Sequence, residues 1–404
     1  MKIYGQHDER TIQQLTRCVA AENGAIGVLC ADGHVGYSMP IGGVVGYKNY
    51  VSPSGVGYDI ACGNLAVQTN LSAADVAPAE MTRVANEIQR RISFGIGRKN
   101  NDRIDDPVFD AIAESPVAAQ RRMLTLARDQ LGTVGSGNHY VDILEDECGT
   151  LWVACHFGSR GFGHKTATGF MNVARDRTFD EGGGRGQGEM DSPPLLLDAR
   201  QASGQDYIAA MTIAGQYAYA GRTAVVRRVL EILGAEERFS VHNHHNFAWR
   251  ETHDGRDFWV VRKGATPAFP GQWGFVGGSM ADISVVIRGV DSRESKAALY
   301  STIHGAGRVM SRTQAAGKFR WGRGRGVRKR VQMHPGLVDF GRVQEDLRRR
   351  GIILRGAGAD EAPEVYRSLR SVLDAHAATI EIVHTLTPRI VVMAGGEEFD
   401  PYKD

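Results

Sequence analysis

The sequence is poor in cysteine and has no long apolar run. Five cysteines in 404 residues, an odd number, argue against a disulfide framework and favour a reducing compartment. The opening residues, MKIYGQHDERTIQQL, contain no apolar stretch of the signal-peptide kind, and no segment approaches the length of a membrane span. We therefore expect a cytoplasmic protein that does not enter a membrane.

The sequence also lacks a strong overall charge, an internal repeat and a dividing linker. The formal net charge of +2 gives no general nucleic-acid signal, whereas Lys318–Arg330 (KFRWGRGRGVRKR) holds seven basic residues and no acidic one. No Pro/Ser-rich segment divides the chain, so we expect one domain over residues 1–404. The glycine-rich stretch Glu181–Glu189 lacks the GK[ST] ending of a phosphate-binding loop and predicts only a turn between elements.

What the sequence does contain is an alternation of short apolar runs and amphipathic stretches. The runs that predict strands are Thr150–Phe157, Asp257–Lys263 and Asp282–Gly289. The periodicity predicts helices over Gln205–Leu233, around Val117–Leu131 and at Ala362–Ala377. This alternation indicates an α/β fold.

Three histidines stand close together in SVHNHHNFAW, at His242, His244 and His245. If Phe239–Phe247 is extended, the two-residue period of a strand places His242 and His244 on one face and His245 on the other. All three rings then cannot bind the same metal. The pattern leaves open which face does so.

Other polar residues follow glycine-rich turns, where the backbone is free to approach a ligand closely. Asp59 and Cys62 stand three apart in GVGYDIACGN, a spacing that lets a carboxylate and a thiolate converge on one point. A buried free cysteine is more commonly inert, however. His139 in GSGNHYVDI and His156 in VACHFGSRG also have ordinary structural interpretations, as a turn residue and a hydrogen-bonded core residue.

His304 begins the segment HGAGRVMSR. A histidine followed by glycines and an arginine suits a nucleophile that must meet a phosphate closely. Imidazole is largely unprotonated near neutral pH, and arginine neutralises phosphate oxygens with paired hydrogen bonds. Taken in isolation, a turn histidine beside a salt-bridging arginine explains the same residues.

Together and in this order, the motifs resemble those of the RtcB family of RNA-splicing ligases. The segments that carry the resemblance are DGHVGYSMPIGG, GVGYDIACGN, GSGNHYVDI, HFGSRGFGH, HHNFA, RKGATPAFPG, GGSM, HGAGRVMSR and DEAPEVYRSL, from about Ala31 to the C-terminus. The resemblance implies a single α/β domain of the RtcB type around a cleft with two manganese ions, although the ligand types alone favour zinc. The implied metal ligands are Asp59, Cys62, His139, His156 and His245, with Cys62 bridging the ions.

The reaction implied by the resemblance joins an RNA 3′-phosphate to a 5′-hydroxyl. His304 attacks the α-phosphate of GTP, the guanylate passes to the RNA 3′-phosphate, and the 5′-hydroxyl then displaces GMP. A 2′,3′-cyclic phosphate is first opened by water. The implied guanylate contacts are Asn138, Asp142, Asn246, Ser279, Ser284, Gly305, Ala306, Gly307 and Tyr366.

The expected partner is RNA, in splicing or repair, and an archaease-like activator is a further partner that the family raises. Arg160, Arg308 and the basic stretch Lys318–Arg330 are the residues expected to contact RNA phosphates. For the basic stretch, a solvated surface loop explains the composition equally well.

The chain departs from the family pattern near its C-terminus. Family chains commonly end in VKG, whose lysine reaches the guanylate, whereas this chain reads VVMAGGEEFDPYKD, with Ala394 assigned to the lysine position. Asp142 replaces a glutamate, Gly277 a proline and Gly221 an asparagine. These differences predict a divergent member with weaker use of GTP, which a lysine at position 394 would improve.

Two other functions stay open at this point. One is a metal-dependent RNA-end phosphodiesterase or phosphatase that no longer guanylylates, and the motif around His304 argues against it. The other is an RNA-binding relative without activity, and the complete set of metal ligands argues against that.

Overall fold

The computed structural model describes residues 1–181, 190–324 and 327–397, without the side chains of residues 320–331. Residues 182–189 of the glycine-rich stretch, most side chains of the basic stretch Lys318–Arg330 and the acidic tail from residue 398 lie outside the described residues. The expectations for these segments stay predictions.

Short strands make up much of the described chain. They are β1 (Lys2–Ile3), β2 (Ile26–His34), β3 (Ile41–Tyr47), β4 (Tyr50–Val51), β5 (Gly63–Ser72), β6 (Tyr140–Asp146), β7 (Thr150–Phe157), β8 (Leu197–Asp198), β9 (Glu237–His244), β10 (Asn246–His253), β11 (Arg256–Lys263), β12 (Ala265–Pro267), β13 (Trp273–Val276), β14 (Ser284–Gly289), β15 (Ser301–Ile303), β16 (Gly317–Gly324), β17 (Val327–Pro335), β18 (Ile353–Ala357) and β19 (Ile380–Gly395).

Helices are interspersed among these strands, which confirms the predicted α/β class. They are α1 (Glu9–Ala20), α2 (Pro53–Val56), α3 (Pro78–Arg91), α4 (Val108–Ala113), α5 (Ala118–Arg121), α6 (Leu124–Gln130), α7 (Arg160–Val173), α8 (Ala202–Leu233), α9 (Arg293–Ala297), α10 (Arg312–Ala316), α11 (Phe340–Arg349) and α12 (Leu369–Asp374). Among the described residues, no helix combines the length and apolar character that a membrane crossing requires.

The larger sheet has the strand order β13-β14-β19-β6-β7-β5-β9, and β18 adds to it in parallel along β19. Strand β5 pairs antiparallel with both β7 and β9, so that Gly63 lies opposite Phe157 on one side and His244 on the other. Because antiparallel neighbours run in opposite directions, the start of β5 lies beside the ends of β7 and β9. Three segments that are far apart in the sequence therefore meet at one end of this sheet.

The smaller sheet has the order β1-β2-β3-β11-β10. Its strand β2 is buried along nearly its whole length, which its apolar sequence favours. This strand carries Asp32, and Asn246 begins β10 opposite Lys263 of β11. Asp32 and Asn246 both belong to the candidate site.

The longest helix, α8, confirms the helix predicted over Gln205–Leu233. It has 32 residues and ends at Gly234, whose φ of 65° lies in the left-handed region that glycine adopts without strain. Its buried face includes Tyr217, Arg222 and Val225 and packs against β7 and α7. The helix thereby runs beneath the strand ends that carry the site.

The predicted strands are largely confirmed. Thr150–Phe157 is β7 without change, β11 begins one residue before Asp257, and β14 begins two residues after Asp282. The stretch Phe239–Phe247 is not one strand, because it breaks at His245 between β9 and β10.

Two predicted helices differ from the structure. Val117–Leu131 forms the two short helices α5 and α6, which are separated at Arg122 and Met123. Ala362–Ala377 is α-helical only in α12, so the prediction is wrong over its first half, where Pro363–Val365 forms a 3-10 turn. Proline is tolerated in a first turn, so Pro363 does not explain the difference; the N–H of Arg367 donates to the carbonyl of Gly307 at 3.0 Å and not within its own segment, which interrupts the helix before α12 begins.

Candidate active site

Two groups of side chains that suit a metal ion share the thiol of Cys62. The first group joins Cys62 to His156 and His245, the second joins it to Asp59 and His139, and the ligand atoms of each group lie within 4.8 Å of one another. Sγ of Cys62 lies 3.2 Å from Nε2 of His156 and 3.7 Å from Nε2 of His139. The five residues implied as ligands therefore lie together around one sulfur atom.

The backbone around Cys62 is sharply turned. The N–H of Cys62 donates to the carbonyl of Asp59 at 3.1 Å, and the preceding residue, Ala61, has a φ of 60°, a conformation that is unfavourable for residues other than glycine. The N–H of His245 donates to the carbonyl of Cys62 at 2.8 Å. This bond ties the break between β9 and β10 to the turn before β5, and brings ligands from both segments to one point.

The imidazole rings are oriented by hydrogen bonds on the side away from the sulfur. Nδ1 of His139 lies 3.0 Å from the carbonyl of Val134, and Nδ1 of His156 lies 2.9 Å from the carbonyl of Asn138. A donating Nδ1–H leaves the lone pair on Nε2, as metal ligation requires. Burial and a neighbouring histidine lower the pKa of His156 to about 3, and burial lowers the pKa of His245 well below its usual range.

The carboxylate of Asp59 completes the donor set. Burial alone would raise its pKa, but the adjacent His139 and Arg160 lower it below the usual range, so the group is ionised at neutral pH. Neutral imidazoles, one thiol and one carboxylate are the donors that divalent transition metals bind in proteins. The cluster is compatible with a metal site in which Cys62 belongs to both groups.

His304 stands beside this cluster and is held by Asp32. Nδ1 of His304 lies 2.6 Å from Oδ2 of Asp32, and the ring centroids of His304 and His245 are 4.8 Å apart. Burial would raise the pKa of Asp32, but its contacts with His304 lower it, so Asp32 accepts as a carboxylate. Nδ1–H donates to it, and Nε2 keeps the lone pair that a nucleophile needs.

The turn after His304 passes very close to another backbone segment. Gly307 has a φ of 75°, and a Cβ there would lie 2.3 Å from the carbonyl oxygen of Asp32. Gly305 forms an isolated bridge with Gly277. Glycine at position 307 is therefore required for this turn to fit against β2.

The metal ligands and His304 line one cleft of about 300 Å³. The residues implied to contact a guanylate that also line this cleft are Asn138, Asp142, Asn246, Ser279, Gly305, Ala306, Gly307 and Tyr366. Ser284 is not on the lining, because it is buried behind the GGSM turn and its Oγ accepts the N–H of Gly278 at 3.1 Å. Ser284 thus supports the turn that carries Ser279.

Asp142 lies on the wall of the cleft. It is 8% exposed, and its Oδ1 has no hydrogen-bond partner among the described residues. Burial raises its pKa well above the usual range. A carboxyl group that stays neutral offers a ligand both an O–H donor and a carbonyl acceptor.

Two arginines and two acids form another wall. Nη1 of Arg312 lies 3.0 Å from Oδ2 of Asp360 and also bonds Glu361. Nη1 of Arg308 donates to the hydroxyl of Tyr366 at 3.2 Å, and that hydroxyl donates to Glu361. Within the described chain, Nη2 of Arg308 is buried and has no partner. The network fixes Arg308 and leaves one of its donors for an anion.

Arg160 lies behind His139 and does not line the cleft. Its Nη1 is 3.1 Å from Nδ1 of His139, and its buried Nε has no partner in the part of the chain that is described. Gly135 makes room for this guanidinium, because a Cβ at that position would collide with it. Arg160 therefore packs against a metal ligand and retains a donor for an anion.

The other two histidines of the HNHH segment contact Arg222 of α8. Nε of Arg222 lies 2.9 Å from Nε2 of His242, and Nη2 lies 2.9 Å from Nδ1 of His244. Burial and the charge of Arg222 lower the pKa of both histidines, so both rings are neutral. Of the three neighbouring histidines, His245 alone belongs to the metal groups.

Strand β19 brings Val391 and Met393 to the wall of the cleft, shortly before Ala394, the position that we assigned to the family lysine. The pairing of β19 with β18 is irregular here, because Val392 lies opposite Arg355 and Gly395 lies opposite Ala357. The extra residue of β19 in this interval disturbs the alternation of its faces, so the two-residue period does not decide between Ala394 and Gly395. The assignment of the lysine position to Ala394 stays a prediction.

Several residues of the site were not singled out from the sequence. They are Asp32, Arg222, Arg312, Asp360 and Glu361. Four of them lie inside the motifs DGHVGYSMPIGG, HGAGRVMSR and DEAPEVYRSL, so a signal was present. What the motifs did not reveal is which side chains bond one another.

Fold and site first define a class: a mixed α/β protein with a buried cluster of histidine, cysteine and aspartate. The chain matches the family model described as tRNA-splicing ligase RtcB over residues 16–123 and 111–394. It is 29% identical over 394 residues to the RNA-splicing ligase RtcB of Escherichia coli (strain K12), with 89% of this chain and 88% of that protein covered. It is 31% identical over 437 residues to the tRNA-splicing ligase RtcB of Archaeoglobus fulgidus, with 88% and 85% covered. The chain belongs to the RtcB family.

Proposed function

We propose that the protein is a manganese- and GTP-dependent RNA ligase that joins 3′-phosphate ends to 5′-hydroxyl ends in RNA splicing or repair. The observation that carries the proposal is the position of His304, with Nδ1 bonded to Asp32 and its ring 4.8 Å from that of His245 in the metal cluster. The names of the relatives, which are RNA-splicing ligases, support the same reaction class.

The cluster of Asp59, Cys62, His139, His156 and His245 would hold two manganese ions, with Cys62 shared between them. Bound there, the ions supply Lewis-acid stabilisation of charge on attacking and leaving oxygens. The chain's own contribution is to orient the imidazole rings, through the hydrogen bonds at Nδ1 of His139 and His156.

The first step takes place at Nε2 of His304. Its lone pair forms a bond to the α-phosphorus of GTP, the bond to the β-phosphate oxygen breaks, and pyrophosphate leaves. Asp32 accepts the hydrogen bond from Nδ1–H, which leaves the lone pair of the neutral ring on Nε2 and stabilises the positive charge that develops on the ring. Gly305 and Gly307 place no side chain in the turn after His304, where a Cβ at Gly307 would lie 2.3 Å from the carbonyl oxygen of Asp32.

Phosphate oxygens would bind the arginines that have unused donors. Nη2 of Arg308 and Nε of Arg160 are both buried without a partner in the described chain, and a buried unpaired donor is costly unless a ligand pairs with it. We assign Arg308 and Arg160 to RNA phosphates, with Asn138, Asp142, Ser279 and Tyr366 on the guanylate.

In the second step the RNA 3′-phosphate displaces the histidine, and in the third step the RNA 5′-hydroxyl displaces GMP. An oxygen of the RNA 3′-phosphate attacks the guanylyl phosphorus, and the P–N bond breaks with its electrons returning to Nε2 of His304. The 5′-hydroxyl then attacks the 3′-phosphorus, loses its proton to solvent and displaces GMP.

All five cysteines are unpaired, which suits a reducing compartment such as the cytoplasm.

The test is covalent labelling of the protein with GTP that is radiolabelled at the α-phosphate, in the presence of Mn²⁺. We expect a label that is stable in alkali and labile in acid, as a phosphoramidate is. It should be absent in His304→Ala and unchanged in His384→Ala, a histidine that bonds Glu147 far from the cleft lining.

Label that persists in His304→Ala would remove the guanylylated-histidine mechanism. The ligase also opens an RNA 2′,3′-cyclic phosphate, so the phosphodiesterase would instead be established by that hydrolysis together with a wild-type protein that takes up no label and forms no joined product. A single assay with a 3′-phosphate strand and a 5′-hydroxyl strand separates the joined product from the hydrolysed one.

A further inference from the structure

Arg222 is a fully buried arginine beneath the metal cluster, at 0% exposure. Its Nη1 donates to the carbonyl of Ala61 at 3.0 Å and to the carbonyl of Phe157 at 2.6 Å. Its Nη2 and Nε donate to His244 and His242. One planar guanidinium thus bonds three separate segments of the chain at once.

Three of these contacts fall on the immediate neighbours of metal ligands. Ala61 precedes Cys62, Phe157 follows His156, and His244 precedes His245. The ligands concerned, Cys62, His156 and His245, are the three members of the first metal group. The ligands that belong only to the second group, Asp59 and His139, have no such contact with Arg222 among the described residues.

The surroundings of Arg222 argue against a role in stability alone. In the described chain, all four of its acceptors are uncharged, and a buried charge without an ion-pair partner costs stability. The carbonyl that it binds at Ala61 belongs to a residue with a φ of 60°, a conformation that persists only where neighbouring contacts impose it.

We infer that Arg222 is the positioning residue of one of the two metal sites, the one formed by Cys62, His156 and His245. It acts through the backbone: by fixing the carbonyls of Ala61 and Phe157 and the ring of His244, it sets the distances among the three ligands. Arginine alone has a fork of donors that spans these acceptors, since a lysine has one nitrogen in place of three. This inference rests on the proposed function.

The experiment is titration of the metal-free protein with Co²⁺, followed by calorimetry and by the near-ultraviolet absorption of a thiolate bound to cobalt. The variant is Arg222→Lys, which keeps the charge and loses the fork. The matched control is Arg262→Lys, a second arginine at 0% exposure, whose bonds go to Glu251, Ser301 and the carbonyl of Leu299. Thermal unfolding of both variants measures their loss of stability.

We expect wild type to bind two Co²⁺ ions. In Arg222→Lys, one site should weaken by roughly 10- to 100-fold, the usual effect of removing a group that orients metal ligands, while the other stays within about threefold of wild type. The Arg222→Lys variant should lose RNA joining at low Mn²⁺ concentration and regain it at high Mn²⁺ concentration. Arg262→Lys should bind both ions as wild type does, even if its melting temperature falls as much as that of Arg222→Lys.

If Arg222→Lys binds two Co²⁺ ions and both dissociation constants lie within about twofold of those of wild type, the inference is overturned and the proposed function is left intact. Wild type that binds no Co²⁺ would overturn both. If Arg222→Lys does not fold, His244→Leu serves in its place, because it removes a single acceptor of Arg222. The Co²⁺ affinity of one site should then weaken by at least about threefold. Unchanged Co²⁺ affinity at both sites would overturn the inference.

Discussion

Oδ2 of Asp32 accepts two hydrogen bonds from His304, one from the ring Nδ1 at 2.6 Å and one from the backbone N–H at 2.9 Å. Replacing Asp32 by Asn should slow guanylylation on the order of 10²- to 10⁴-fold, because an amide can donate to Nδ1 and so move the proton to Nε2. The measurement is the initial rate of labelling at saturating GTP. Asp257→Asn, on the surface, is the control, and equal rates in the two variants would mean that Asp32 does not set the tautomer.

Cys62→Ala should remove bound metal and abolish ligation, since Cys62 belongs to both metal groups. Elemental analysis after gel filtration measures the metal per chain. Cys155→Ala is the matched control, because Cys155 is equally buried, adjoins His156 and belongs to neither group. Full metal content in Cys62→Ala would exclude a bridging thiolate.

Among the neighbouring histidines, His245→Ala should lose RNA joining, while His242→Ala and His244→Ala should retain it at saturating Mn²⁺. The reason is that His245 lies in a metal group, whereas the other two accept hydrogen bonds from Arg222. Joining of a 3′-phosphate strand to a 5′-hydroxyl strand is the assay. If His244→Ala is inactive and His245→Ala is active, the metal ligand of this segment was assigned one residue too late.

Ala394→Lys should lower the GTP concentration needed for self-labelling by about tenfold to a hundredfold. A new charge-assisted hydrogen bond to the guanylate is worth roughly 1.5–3 kcal/mol, and each 1.4 kcal/mol is about a factor of ten. The comparison is Gly395→Lys, one residue further along β19, where a Cβ would meet nothing within 4 Å. If Gly395→Lys improves GTP use and Ala394→Lys does not, the lysine position was assigned one residue too early.

Asp142→Asn should stabilise the fold increasingly as the pH rises. Asp142 has a raised pKa when folded, so above about pH 4 the unfolded chain releases a proton that the folded chain retains, and the free energy of unfolding falls by up to about 1.4 kcal/mol per pH unit. Asn does not titrate, so its advantage grows until the folded carboxyl ionises. Urea unfolding at about pH 5 and about pH 8 measures it. If Asp142→Asn changes the free energy of unfolding by the same amount at both pH values, Asp142 is ionised in the folded protein.

The long helix followed from the sequence because it rests on a local signal: the periodicity over Gln205–Leu233 predicts α8 without tertiary information. The set of metal ligands followed only from the resemblance to the RtcB family, since each motif on its own, as at Cys62 or His139, also had an ordinary structural interpretation. The break at His245 did not follow, because an alternating stretch looks the same whether it forms one strand or two.

Contacts between motifs were beyond the sequence. Arg222 stands in the middle of a helix, and nothing in its neighbours indicates that it binds the carbonyls of Ala61 and Phe157. The same holds for Asp32 and His304, which are far apart in the chain and adjacent in space.

The meeting of β5, β7 and β9 also bears on how long the protein survives in a cell. Since the ligands come from segments distant in the chain, bound metal stabilises only the state in which all of them are assembled. At a free metal concentration a hundred times the dissociation constant, this linkage adds about 2.7 kcal/mol to the free energy of unfolding. Proteases act on opened chains, so a shortage of metal would shorten the lifetime of the protein as well as stop its chemistry.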